Sequence, residues 1–171
     1  ERKKVEQALR ESEEKFRTLY NKAPIGIFRT TSKGEVLSIN QAMANILGFS
    51  AVKEVLDEYQ NLAKDLYIDS DRRKEFIKNI RKRQEVKDFE YQAVKRDGST
   101  IWISMNARIS ERFEDGSFYI EGFAFDITDK KRVKKKLEKQ KEELQASNEQ
   151  LTAYNEEIKA MNEELDESLR E

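Results

Sequence analysis

The chain has 171 residues, with 33 Lys and Arg against 34 Asp and Glu and a net charge of −1. Charged residues make up 39% and the hydrophobic set 37%, with one proline and six glycines, a balance suited to long exposed helices on a modest core. The near-zero net charge argues against nucleic acid or direct membrane contact. No apolar run approaches the ~20 residues of a bilayer span, and the lack of cysteine and histidine removes thiolate chemistry, disulfides, imidazole bases and His-ligated metals. A cytoplasmic location is compatible with this composition.

Residues 1–22 lack glycine and proline and place Val5, Leu9, Phe16 and Leu19 on a 4-7-3 spacing, with Ser12 in the missing seam position. This predicts a linker helix with one apolar stripe, closed at Pro24, which restricts Ala23 and has no N–H. Strand-like runs at 25–30 and 35–39 flank a Ser32-Lys33-Gly34 turn. Asn40 is a good N-cap for a short helix that turns Met43, Ile46 and Leu47 inward and ends at Gly48. Ser50 can cap a second helix, and Asp69 or Ser70 a third with Phe76, Ile77 and Ile80 on one face. Three strands follow at about 86–95, 100–112 and 118–127, separated by Asp97-Gly98 and Asp115-Gly116 turns, a strong hairpin signal. The order β-β-α-α-α-β-β-β over residues 23–128 predicts an α+β domain, one antiparallel sheet with short helices on one face.

From residue 129 to 171 Leu137, Leu144, Leu151, Ile158 and Leu165 recur every seven residues. The second seam position has two solutions. One offset gives Gln140, Ser147, Tyr154, Met161 and Ser168 and reaches back to Val133; the other gives Lys141, Asn148, Asn155, Asn162 and Leu169. The first is preferred because it includes Val133, Tyr154 and Met161. A helix with a single apolar stripe needs a partner, and a parallel homodimer is the simplest, with polar seam positions weakening the pairing and leaving it adjustable. The basic run from Lys130 to Lys141 keeps the heptad phase at Val133 and Leu137 and reads as a solvated face. The opening Glu1-Arg2-Lys3-Lys4-Val5 through Leu9 resembles Asp129-Lys130-Lys131-Arg132-Val133 through Leu137. Either any two charged heptads share this pattern, or the chain is one unit of a tandem array whose first helix leaves an upstream domain.

Several strings, in order, resemble the PAS family: Ala23-Pro24-Ile25-Gly26-Ile27, Gly34-Glu35-Val36 through Ile39-Asn40, Leu47-Gly48-Phe49-Ser50, Lys95-Arg96-Asp97-Gly98-Ser99 with Trp102, and Gly122-Phe123-Ala124-Phe125-Asp126-Ile127-Thr128. The resemblance implies a five-stranded antiparallel sheet of order 2-1-5-4-3, a pocket between sheet and helices, and an Asp126-Ile127-Thr128 junction that joins the last strand to an exit helix. Members of the family sense ligands, redox state, gases or light and pass the result to adjacent signalling domains.

Period-two alternation assigns the sheet faces. Phe89, Tyr91 and Ala93 share one face with Ile103, Met105, Ala107, Gly122 and Ala124, which the resemblance makes the pocket face, opposite Met43, Leu47 and Phe76. The small residues leave room for a small apolar ligand, unless the larger side chains fill it. Trp102, Phe123 and Phe125 lie on the outer face, where burying each ring is worth about 1.5–3 kcal/mol. The apolar stripe of the first helix or a partner domain is expected to cover them. The flavin-binding members that use a reactive cysteine and the haem members that use an axial histidine are excluded as models for this chain, and no cofactor is predicted. The pocket face offers almost no titratable group, so no enzyme activity is expected. The resemblance therefore implies a sensory relay to a downstream output domain such as a histidine kinase or cyclic-dinucleotide enzyme, with a non-sensing dimerisation spacer as the alternative.

Overall fold

The computed structural model describes residues 2–59 and 61–168. In chain order the elements are α1 (Arg2–Lys22), β1 (Gly26–Thr31), β2 (Val36–Ile39), α2 (Gln41–Ile46), α3 (Val52–Glu58), α4 (Leu62–Asp65), α5 (Ser70–Arg83), β3 (Glu85–Val94), β4 (Thr100–Arg112), β5 (Phe118–Asp126) and α6 (Thr128–Ser168). The strands form one antiparallel sheet of order β2-β1-β5-β4-β3. The last strand in the chain thus sits at the centre, between the first strand and the β3–β4 hairpin.

Local chemistry explains most boundaries. The Asp97 carboxylate accepts from the Ser99 amide and hydroxyl, and Asp115 does the same with Ser117, so the tight turns satisfy their own polar groups. These bonds hold both carboxyls below the usual carboxylate range. Gly98 and Gly116, both at φ +79°, supply the left-handed residue each turn needs. Asp69 caps α5 by accepting from the Asp71 amide. Two details differ from the sequence reading. Ser50 is not a cap: Ala51 occupies that position without a side-chain bond, and the Ser50 amide instead donates to Glu54. The extra helix α4 is too short for any helical period to register in the sequence.

Asn40 ties the N-terminal part together. Its side chain is fully buried. The amide oxygen accepts from Ile27 N at 2.9 Å and from Met43 N at 3.0 Å, capping α2, while the amide nitrogen donates to the carbonyls of Tyr20 at 3.0 Å and Ile25 at 2.9 Å. One residue thereby links the end of α1, the start of β1 and the first turn of α2.

The core lies between the inner sheet face and α2–α5. Its fully buried members include Phe76, Phe118, Leu47, Ile80, Ile103 and Ile120. Gly122 sits in β5 opposite Phe28 of β1 and Ala107 of β4. A Cβ there would collide with the carbonyl of Asn106 and lie 2.9 Å from both Ala107 Cα and the Phe28 ring. Glycine is needed because backbone and ring already occupy that space.

The division between the two compact units falls after Thr128. The second unit is the helix α6, whose residues Val133, Leu137, Leu144, Leu151, Tyr154, Ile158, Met161 and Leu165 are all at least half exposed. Leu169, the end of the alternative seam, lies outside the described residues.

Asn40→Ala is expected to lower stability by about 2–4 kcal/mol in urea unfolding, combining a lost cap with polar groups left unsatisfied. Gly122→Ala is expected to cost about 1–3 kcal/mol in the same measurement, as overpacking against backbone does; an unchanged midpoint would show that the β4 backbone at Asn106 and Ala107 gives way together with the Phe28 ring.

Candidate functional site

All the nominated pocket residues face the core. Met43, Leu47, Phe76, Phe89, Tyr91, Ala93, Ile103, Met105, Ala107 and Ala124 are buried, and Gly122 is half-buried. The cavity near them measures ≈ 30 Å³, which is room for about one water. Met43, Leu47, Tyr91 and Met105 border it; the other nominated residues do not. The small residues do not translate into empty space. Phe28 closes over Gly122, Ala93 is bridged by the backbone of Tyr67, and the Tyr67 and Tyr91 rings stack at 4.2 Å.

The cavity wall is also more polar than the strand pattern suggests. Thr30, Tyr67 and Arg73 border it, and Thr30 and Arg73 are both buried. Sequence reasoning missed these residues, although Arg73 stands three, four and seven positions before Phe76, Ile77 and Ile80 and so shares their helix face. Burial pushes the phenols of Tyr67 and Tyr91 up from their ordinary value, with the Arg73 charge opposing the rise, so both hydroxyls are protonated donors at neutral pH.

At the other end of the domain β4 grips the chain beyond the last strand. Ile127 N donates to the Trp102 carbonyl at 2.8 Å, and Trp102 N donates to Thr128 Oγ1 at 2.9 Å. Thr128 N in turn donates to Asp126 Oδ1 at 2.8 Å. Asp126, Ile127 and Thr128 therefore form a small hydrogen-bonded clamp at the first residue of α6.

On the outer face Trp102 is half-buried, while Phe123 and Phe125 are 46% and 38% exposed. The apolar stripe of α1 does not cover them: Val5, Leu9, Phe16 and Leu19 are themselves exposed. Asn40 holds the Tyr20 carbonyl, and Phe16 and Tyr20, near the end of α1, border the sheet. Phe16 and Tyr20 instead form one wall of a groove of ≈ 880 Å³ whose other wall includes Ile27, Arg29, Asn106 and Phe123.

A family model described as PAS domain matches residues 24–129. No curated protein matches the sequence. Among solved structures, the PAS domain of an HTR-like protein from Haloarcula marismortui is 22% identical with a TM-score of 0.57, over 73% of this chain and 99% of that one. A sensory box histidine kinase/response regulator from Burkholderia thailandensis E264 is 20% identical with a TM-score of 0.54, over 76% of this chain and 97% of that one. The PAS domain, in complex with ethanol, of a transcriptional regulator in the LuxR family from Burkholderia thailandensis is 17% identical with a TM-score of 0.52, over 66% of this chain and 96% of that one. These likenesses are of fold. The sheet order, the junction at the end of β5 and the match over residues 24–129 agree: the chain belongs to the PAS domain family.

Proposed function

We propose that this chain is a sensory relay module which passes a pocket or contact signal through Asp126-Ile127-Thr128 into a dimeric coiled coil, and so to an output domain such as a histidine kinase or cyclic-dinucleotide enzyme. The observation that carries this reading is the clamp of Trp102 on Ile127 and Thr128, because it makes the first residue of α6 a hydrogen-bond partner of the sheet. A change in β4 or β5 alters that clamp, and the exit helix can respond by rotation or a change of crossing if two arrangements lie within a few kcal/mol. The neighbouring structures support the context, since one is described as a sensory box histidine kinase/response regulator and another as part of a transcriptional regulator.

The partner in this reading is a second copy of the chain, paired in parallel along the α6 stripe. The seam is apolar at Leu137, Leu144, Leu151, Ile158 and Leu165 but polar at Gln140 and Ser147, a combination that permits pairing without locking it. The module acts by contact and conformation and performs no chemistry itself, at a cytoplasmic site next to its output domain. A second reading, a dimerisation spacer that senses nothing, is favoured by the small size of the inner cavity.

Two measurements test the proposal. Native mass spectrometry of the purified chain is expected to give a dimer; a stable monomer at micromolar concentration would remove the coiled-coil route. Thr128→Val deletes the acceptor for Trp102 N, and in the full-length protein it is expected to change basal or stimulated output severalfold while the stability of the domain falls by no more than about 1.5 kcal/mol, the worth of one hydrogen bond. Output unaltered by Thr128→Val would leave the spacer.

A further inference from the structure

The inner cavity brings together polar groups that the hydrophobic pattern of the domain does not call for. Arg73, in the first turn of α5, is 6% exposed, and guanidinium groups stay charged at every accessible pH. Among the described residues no carboxylate lies within ion-pairing distance of it. Its hydrogen bond to the backbone is a long one, 3.5 Å from Nη2 to the Thr31 carbonyl. Its charge otherwise rests on neutral groups, the rings of Phe76 at 5.3 Å and Tyr67 at 5.7 Å and the Tyr67 hydroxyl. A buried cation without a counter-charge is costly. The second observation is independent. Thr30, 2% exposed and also on the cavity wall, has a hydroxyl with no hydrogen-bond partner among the described residues.

We propose that this cavity is a binding site for a small monovalent anion of halide size, held by the Arg73 guanidinium and the Thr30 hydroxyl. A volume of ≈ 30 Å³ excludes larger ligands while the helices keep their present positions. Arg73 supplies the charge, and Thr30 a neutral donor that has no other use. Access is electrostatically prepared as well. Arg73 also borders a surface groove of ≈ 550 Å³ whose wall includes Lys33, Lys74, Lys78, Arg81 and Lys82 and, among the described residues, no carboxylate. Such a one-signed cleft raises the local concentration of anions. Arg73 stands between that groove and the cavity, bordering both. The assignment gives the pocket of the relay reading a ligand class; it rests on that reading for its signalling consequence and not for binding itself.

The probe is the halide alone, applied to the whole chain. Crystals grown in sodium bromide are expected to show an anomalous peak in the cavity within hydrogen-bonding distance of Arg73 and Thr30 Oγ1. In solution the thermal midpoint is expected to rise with chloride concentration, relative to sodium gluconate of equal ionic strength, as binding to the folded state requires. Thr30→Val should move that dependence to roughly ten-fold higher chloride, the effect of losing one hydrogen bond to a charged group, and Arg73→Leu should abolish it. If Arg73→Leu does not fold, Thr30→Val decides. A cavity holding water without an anomalous peak, equal midpoints in chloride and gluconate, or a chloride dependence unchanged by Thr30→Val would each overturn the site. Output indifferent to Thr128→Val with the bromide peak in place would sink the relay and leave the anion site standing.

Discussion

Four hydrogen bonds to one buried side chain, that of Asn40, hold the first half of the domain in register. A carboxamide has two donors and an acceptor oxygen with two lone pairs, and here each is used. The partners belong to α1, to Ile25 just before β1 and Ile27 within it, and to α2, so the entry of the chain into the sheet and the start of the helical layer are set together. No other residue type has this inventory at this length. Aspartate keeps the cap but sets a carboxylate against two carbonyls, and an apolar side chain leaves donors and acceptors unsatisfied in a region water does not reach.

β5 carries that constraint across the sheet. It pairs with β1 on one side and β4 on the other, so its register is tied to both ends of the domain. Gly122 marks the tightest point, where the Phe28 ring and the backbone of β4 meet. Beyond Asp126 the strand no longer has β1 beside it, and β4 holds the chain through Trp102, first by its carbonyl and then by its amide. Three hydrogen bonds thus hold Asp126, Ile127 and Thr128 where β5 passes into α6.

The inner face shows why alternation alone is a poor guide to pockets. Ala93, Ala107, Gly122 and Ala124 look like deliberate absences when the strands are read separately. In three dimensions bulk arrives from elsewhere, Phe28 over Gly122 and Tyr67 beside Ala93, and what remains is a space the size of a water molecule. The groups that give this space a chemical character, Arg73 and Thr30, are hidden in the sequence because a charge or a hydroxyl near the end of an element reads as solvent-facing. The outer face shows the complementary error. The stripe on α1 and the aromatic residues on β5 are each apolar, and pairing them would economise on exposed surface, yet both stay exposed.

Short-range chemistry was enough to set the elements and their order, apart from the four-residue helix α4. Heptad spacing marks α1 and α6, Asp-Gly turns mark the β3–β4–β5 meander, and caps at Asn40 and Asp69 start α2 and α5, because periodicity, turn conformation and capping are all local consequences of residue type. The Asp126-Ile127-Thr128 junction was legible too, through the family resemblance and not through any local rule. Packing between distant segments settled the remainder. It brought Asn40 against Tyr20, filled the inner face, left Arg73 buried with no carboxylate among the described residues at ion-pairing distance, and closed Trp102 on Thr128. Each of these depends on which side chains from distant segments compete for one volume, and that competition is resolved only when the sheet closes and the helices pack on it.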